Sequence, residues 1–595
     1  MTQVYQGLAA APGIGIGSLH LYRPGLAAPL APPSDNLAID PHEEWQIFLA
    51  AHARVDAELE ELAANSNTLV GEIFAAHRVI LQDKTLLDWI QAAIYEERLS
   101  AAAATYKTIN ELADLFHSFE DEYFAGRAID ILDLGQRLLT ELGAALSRPQ
   151  LTQLPPQTIL AAEDLTLSDL AQLPPGHVVG IALAYSTPTA HSAILARSMG
   201  IPMVCTIGPF VLQLLPEQDA VVDGNQGRLL VDLDPADLQR YSSVRQEYIA
   251  AGVIALSHAH EPAYTRDGLH VPVLANANSP QEVAQSKTVG ADGIGLLRTE
   301  YLFQGRAVPP SFEEQRSTYA QFIAQVNNQL TVRALDAGGD KPVNYISHHR
   351  EDNPFLGLRG VRLLIAEPDL LRVQYRALQA AAQSAPESVD VRFMLPMIST
   401  AEEIFAVRAI LDAIHDESNG EEYMLSRQQN SAFQDDHDQL PNARDSLPHL
   451  KLGIMIEVPS AALIASSLAP HVDFFSIGTN DLAQYVFASD RTNSTVANLA
   501  DPLHPAVLHL IYQTCNAAKA AGKSVSLCGE IAGDPLATPL LLGLGVNELS
   551  VALPAVPIIK EIVRSLNMTR CRQVATAALS CGSAAAVRAL LEAER

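Results

Sequence analysis

A chain of 595 residues, 48% hydrophobic and 18% charged, is long enough for several domains with sizeable cores. Its formal net charge of −29 argues against a nucleic-acid binder, which needs a basic footprint; small anions held by local arginines, or a protein partner with a basic docking face, remain compatible. No apolar run reaches the ~18 residues of a membrane span, and residues 1–7 lack the basic-then-apolar pattern of a signal peptide, so a cytoplasmic location without membrane insertion is expected.

Residues 1–22 are apolar and glycine-rich (Ala-Pro-Gly-Ile-Gly-Ile-Gly, 11–17) and read as a strand with turns, followed by a Pro/Ala-rich linker near 23–37. Residues 40–147 contain almost no proline. Ile73, Phe74, His77, Ile80 and Leu81 fall on one side of a helix, as do Ile129, Leu132, Leu134 and Leu138, which predicts an inserted helical bundle. Its acidic runs read as solvated faces. Short strands return at 158–161, 178–183, 220–223 and 228–231, with a helix over 189–197 opening just before His191. This predicts a small β/α domain that takes residues 1–22 as an edge strand. A linker helix is expected over 234–256.

Eight apolar segments follow, separated by helical stretches: 271–275, 293–297, 331–335, 392–395, 452–456, 474–478, 524–527 and 549–553. They predict a (β/α)₈ barrel, whose active site is built at the C-terminal strand ends. The polar segment 415–449 has little periodicity and reads as a poorly ordered surface insertion between the fourth and fifth barrel strands. The expected division is therefore 1–22 with 148–232 as the β/α domain, 33–147 helical, 233–262 a linker helix, 263–575 the barrel and 576–595 a C-terminal tail. The five cysteines, Cys205, Cys515, Cys528, Cys571 and Cys581, lack CxxC spacing and read as reduced thiols.

Most of the barrel segments end in a residue that can do chemistry. Glu457 and Asp481 follow successive strands and can hold Mg²⁺ together with substrate oxygens, or be ordinary rim acids. Asn480 can position a substrate oxygen. Arg298, Arg333 and Arg491 are anion candidates, because a buried arginine needs an anion or carboxylate opposite it. The alternative is an internal salt bridge, for example Arg298 with Glu300 or Asp336. Cys528 is a candidate acid at the catalytic face or a small buried hydrophobe. Gly338-Gly339-Asp340-Lys341 is a phosphate-loop candidate. His191, at a helix N-terminus, can accept a phosphoryl group held by Thr189 and backbone amides, or be a capping-region histidine without chemistry.

Together these motifs resemble enzyme I of the bacterial sugar phosphotransferase system, the phosphoenolpyruvate–protein phosphotransferases. The match runs nearly end to end, through Glu-Asp-Leu-Thr (163–166), the His191 segment, Gly-Leu-Leu-Arg-Thr-Glu-Tyr-Leu-Phe (295–303), Ala-Gly-Gly-Asp-Lys (337–341), Asn-Pro-Phe-Leu-Gly-Leu-Arg (353–359), Ile-Glu-Val-Pro (456–459), Phe-Phe-Ser-Ile-Gly-Thr-Asn-Asp-Leu-Ala-Gln-Tyr (474–485) and Leu-Cys-Gly-Glu (527–530). The resemblance implies that His191 is phosphorylated on Nε2. It implies that Arg298, Arg333, Arg359, Asn480, Asp481 and Arg491 bind phosphoenolpyruvate, that Glu457 and Asp481 bind Mg²⁺, and that Cys528 protonates the enolate to give pyruvate. It further implies that the helical insertion docks the histidine phosphocarrier protein HPr, that the His191 domain swings between carrier and barrel, and that the protein is a homodimer through the barrel.

Three departures stand out. Ser186 and Thr187 replace two glycines before the histidine and Ala190 replaces a serine, which could crowd the phosphoryl group or restrict the loop. Leu132 stands where the family has an arginine. The 415–449 connection is long. The alternatives are a degenerate phosphoenolpyruvate-binding regulator without transfer, or a relative of pyruvate,phosphate dikinase or phosphoenolpyruvate synthase. The second would need a nucleotide-binding domain for which this chain shows no Gly-rich loop and no room.

Overall fold

The computed structural model describes residues 2–22, 40–65, 74, 77–117, 122–143, 151–166, 169–170, 172–187, 191–304, 306, 308–338, 343, 345, 351, 353–414, 449–491 and 496–594. These form two compact units, Met1–Ala251 and, essentially, Gly252–Arg595. The candidate linker at 23–37, residues 339–341 of the phosphate-loop candidate and nearly all of the 415–449 segment lie outside the described residues.

The first unit is built on an eight-stranded sheet. Its strands are β1 (Gln3–Gln6), β2 (Leu8–Ala11), β3 (Ile14–Tyr22), β4 (Thr158–Ala162), β5 (Val178–Leu183), β6 (Met203–Cys205), β7 (Asp219–Asp223) and β8 (Arg228–Val231). They are ordered β1-β8-β7-β3-β4-β5-β6-β2. This corrects the expectation of one N-terminal edge strand. β1 and β2 form the two edges, while β3 lies inside, antiparallel to β7 and parallel to β4. The glycines explain the interior position: a Cβ at Gly15 would lie 2.0 Å from the Val179 carbonyl oxygen, and one at Gly17 1.9 Å from that of Gln157. Glycine in a strand often marks such close backbone approach. β6 escaped the sequence reading because three residues carry too short a pattern.

Both faces of this sheet are covered. Along β4, Leu160 and Ala162 join one apolar cluster, Ile159 and Ala161 the other. Four inserted helices, α1 (Pro41–Asn65), α2 (Lys84–Tyr95), α3 (Ala101–His117) and α4 (Glu122–Glu141), bury Phe48, Val55, Leu59, Ile90, Ile109 and Leu134. Of the residues expected on inward helix faces, Phe74, His77, Leu81, Leu134 and Leu138 are buried, and Ile80 and Leu132 pack half-buried against the same core. Ile73 and the side chain of Ile129 are outside the described residues. Helix α5 (His191–Ser198) buries Ala193 and Ala196 on the sheet, and its Leu195 also packs on the helical core.

Helix α6 (Pro235–Ser257) carries the chain to the second unit. There β9 (Val273–Ala277), β10 (Ile294–Leu297), β11 (Gln329–Arg333), β12 (Asp390–Leu395), β13 (Lys451–Ile456), β14 (Phe474–Ile477), β15 (Ser524–Leu527) and β16 (Glu548–Val551) form a closed barrel in sequential order. Neighbours are parallel, and β16 closes on β9 with Leu549 opposite Val273. Each expected segment overlaps one of these strands. Side chains alternate: Phe393, Ile454, Phe475 and Leu527 join the large core between strands and helices, whereas Leu296, Met394, Met455, Phe474 and Cys528 form a separate inner cluster. Gly453 makes room for this filling, since a Cβ there would lie 2.3 Å from the Phe474 ring.

The chain end is not a tail. A helix at Ala584–Ala593 is capped by Ser583, which accepts from the Ala586 N–H, and buries Val587 and Leu591 in the barrel core. Their i, i+4 spacing supplies the apolar stripe that the small, alanine-rich residues around them obscure. Among the described residues no helix is long and apolar enough to cross a membrane.

Candidate active site

The strand ends of the barrel bring the charged residues together. Arg333 closes β11, with Asp336 three residues on. Glu457 follows β13. Asp481 sits in the first turn of the helix Thr479–Phe487 that follows β14, and Cys528 follows β15. Arg359 enters from the 353–360 loop, where Gly360 takes φ 57° and would, with a Cβ, meet Met397 at 2.9 Å.

Arg359 is the hub, with 1% of its surface exposed. Its Nε and Nη2 donate to the two Asp336 oxygens, each at 3.1 Å. Its Nη1 donates to Asp481 Oδ1 at 3.2 Å and to the Tyr485 hydroxyl at 3.2 Å. Tyr485 in turn donates to the Phe355 carbonyl at 2.7 Å, tying the helix to the loop that carries Arg359. Arg333 pairs with Glu300 and, at 3.2 Å, with Asp336. Among the described residues its buried Nε has no hydrogen-bond partner, so a donor is left over for an anion. Arg491 Nη1 reaches Asp481 Oδ2 at 3.3 Å. Arg298 pairs with neither Glu300 nor Asp336; its Nη1 donates to the Asn278 side-chain oxygen at 3.2 Å. Asn480 is oriented by accepting from the Glu530 N–H at 3.1 Å.

These surroundings set the charges. Burial pushes Glu457 up to about 8, helped by the negative charge of Asp481 and Asp336 and opposed by Arg333 and Arg359. One of its oxygens accepts from the Met397 N–H at 2.6 Å. Burial also raises Asp481, but Arg491 and Arg359 outweigh it and its carboxyl ends below its usual value. Burial raises the Cys528 thiol, which keeps it protonated; a hydrogen bond from Ser476 pulls it partly back.

Glu457 and Asp481 fit a magnesium ion. Burial of Glu457 outweighs the nearby Arg333 and Arg359, so its carboxylate can take further positive charge, and a Cβ at Gly478 would lie 3.0 Å from Glu457 Oε2, so glycine keeps space open there. Among the described residues no cluster of three or more His, Cys, Asp or Glu encloses a metal. Two carboxylates suit Mg²⁺, which draws its other ligands from water and substrate phosphates.

In the first unit, His191 opens α5, a placement that offers unpaired N–H groups. Its side chain, Thr189 and Ala190 are outside the described residues. Ser186 is buried, its hydroxyl 3.0 Å from that of Ser192, and its carbonyl accepts from Thr206 at 2.7 Å. Asp164, beside both serines, is pushed up to about 6 by burial.

Sequence reasoning misses Tyr485 and the pairing of Asp336 with both Arg333 and Arg359. Tyr485 lies four residues after Asp481 on one helix, a spacing that puts both on one face. The sequence marks Asp336 only as a strand end and a salt-bridge candidate.

A barrel with arginines, carboxylates and a thiol at its strand ends, joined to a β/α unit with a histidine at a helix start, defines a modular enzyme for an anionic substrate. The chain belongs to the PEP-utilising enzyme family: the family's PEP-binding domain matches residues 255–568, its N-terminal domain 6–127 and its mobile domain 154–227. The phosphoenolpyruvate-protein phosphotransferase of Bacillus sp. (strain S) is 36% identical over 97% of this chain and 96% of its own length. That of Staphylococcus carnosus (strain TM300) is 33% identical over 100% of this chain and 99% of its own length. The multiphosphoryl transfer protein of Rhodobacter capsulatus is 40% identical over 90% of this chain, which spans 61% of that longer protein.

Proposed function

We propose that this protein is a phosphoenolpyruvate–protein phosphotransferase. It transfers the phosphoryl group of phosphoenolpyruvate to Nε2 of His191 and then to the phosphocarrier HPr, docked on the helical insertion. The observation that carries the reading is the convergence of Arg333, Arg359 and Arg491 on buried carboxylates beside a buried thiol, at the catalytic end of a barrel.

Arg298, Arg333, Arg359 and Arg491 bind the carboxylate and phosphate of the substrate, and Asn480 orients it. Glu457 and Asp481 would hold Mg²⁺, which neutralises charge on the transferring phosphoryl group when bound. Arginine charge developed against that group acts in a buried, water-poor setting, where it counts for most. The Cys528 thiol gives its proton to the enolate carbon, forming the methyl group of pyruvate. Its burial suits this task, because a thiol with a raised pKa still holds its proton at neutral pH. A homodimer through the barrel and a cytoplasmic location belong to the same reading. Leu132, which packs on the bundle core, leaves carrier docking without the arginine expected there.

Intact-protein mass after incubation with phosphoenolpyruvate and Mg²⁺, without ATP, tests the proposal. The expected result is one acid-labile phosphoryl group in the wild type and none in His191→Ala. No gain in the wild type, with phosphoenolpyruvate still bound, would overturn transfer in favour of a binding protein.

A further inference from the structure

Ser476 lies on β14 and is 0% exposed. Its strand neighbours Phe475 and Ile477 face the outer core, while Phe474, two residues before it, belongs to the inner cluster. Ser476 therefore points into the barrel. Its Oγ donates to Cys528 Sγ at 3.3 Å, and Sγ donates in turn to the Ile477 carbonyl at 3.6 Å. Among the described residues Ser476 is the one side chain that donates to this sulfur. The rest of its cluster is Leu296, Met394, Met455 and Phe474, none of which can donate a hydrogen bond. The cysteine backbone is held as well: Asn276 donates to the Cys528 carbonyl at 3.1 Å, and Ser550 donates to Asn276 at 2.6 Å.

We infer that Ser476 is the positioning residue of the Cys528 acid, fixing the thiol before proton transfer and holding the thiolate after it. The inference rests on Cys528 being the proton donor of the proposed reaction. In that step the enolate π pair takes the thiol proton, a C–H bond forms and the S–H bond breaks. Its electron pair stays on sulfur, and the thiolate later takes a proton from water. The product of the step is thus a buried anion on the apolar side of the site, with Glu457 acting against its charge and Arg333 and Arg298 in favour of it, and a buried charge short of hydrogen bonds is costly. The serine hydroxyl keeps its own proton throughout and supplies a hydrogen bond that strengthens when its acceptor becomes charged. A serine also fits where a larger donor would displace the inner cluster.

The test is Ser476→Ala in the full chain, with steady-state turnover of phosphoenolpyruvate in the presence of Mg²⁺ and carrier measured across pH. The expected result is an unchanged KM and a kcat lower by roughly 10-fold, the scale of one hydrogen bond to a charged group. The alkaline limb of kcat should move to higher pH, because a thiol without the hydroxyl holds its proton more tightly. In a Cys528→Ala background, Ser476→Ala should cause no further loss. A slower enzyme with an unmoved alkaline limb, or an equal further loss without the thiol, assigns Ser476 to packing and overturns the inference. If Cys528→Ala turns over at the wild-type rate, the proposed proton donor itself is wrong. If Cys528→Ala is slow while Ser476→Ala matches the wild type, only the serine's role falls.

Discussion

Arg359 shows how much of this site depends on one side chain. With Asp336 and Asp481 both buried against it, its removal takes one counter-charge from each of two buried carboxylates and leaves them to Arg333 and Arg491. Arg359→Ala should lose phosphoenolpyruvate turnover and destabilise the barrel by about 3–5 kcal/mol, the usual scale for breaking a buried ion pair; urea unfolding would measure it. Arg359→Lys should fail to rescue turnover, because an ammonium cannot reproduce the two-pronged pairing with Asp336. In the other unit, Asp164 has its carboxyl raised from 3.8 to about 6. A group whose folded pKa lies above its unfolded value contributes stability at low pH that is lost as pH rises through the folded value. The first unit should therefore lose on the order of 2–3 kcal/mol between about pH 4 and 6 from this group. Asp164→Asn should flatten that part of the profile, and urea midpoints at the two ends of the window, compared between variant and wild type, isolate the effect.

Among the elements, the barrel strands were legible because each is a short apolar run bounded by polar residues and turns, and a parallel strand buried on both faces has that signature. β3 was misread as an edge because its position in the chain suggested it, whereas Gly15 and Gly17 admit neighbouring backbone on its face. The Ala584–Ala593 helix was misread as a tail because its alanines mask Val587 and Leu591. Gly453 decides whether the inner layer can close. Gly453→Ala should destabilise the barrel by about 1–3 kcal/mol, the range for overpacking a filled core, visible as a lower urea midpoint. A substitution without effect would mean that the Phe474 ring shifts freely.

Across the whole molecule, the two units have separate cores, and the proposed substrate residues lie in the second. Phosphoenolpyruvate with Mg²⁺ should raise the unfolding temperature of the barrel, by about 2.7 kcal/mol of stabilisation at a hundredfold excess over Kd. The first unit's transition should not move. Calorimetry of His191→Ala, which cannot consume the ligand, would show the barrel shift alone; equal shifts in both units would contradict binding confined to the barrel.

The amino-acid sequence by itself determined the barrel, the helical insertion and the identity of the residues at the strand ends. Those are local properties: apolar runs, helical spacing, and the residue that follows each run. Only the tertiary structure decided which arginine meets which acid, and that Arg298 pairs with Asn278 while Arg333 takes Glu300. Arg359 and Asp481 stand 122 residues apart in the chain, and Ser476 and Cys528 stand 52 apart. Contacts of that range are set by barrel closure, which brings separate strand ends around one mouth, and no local pattern carries them.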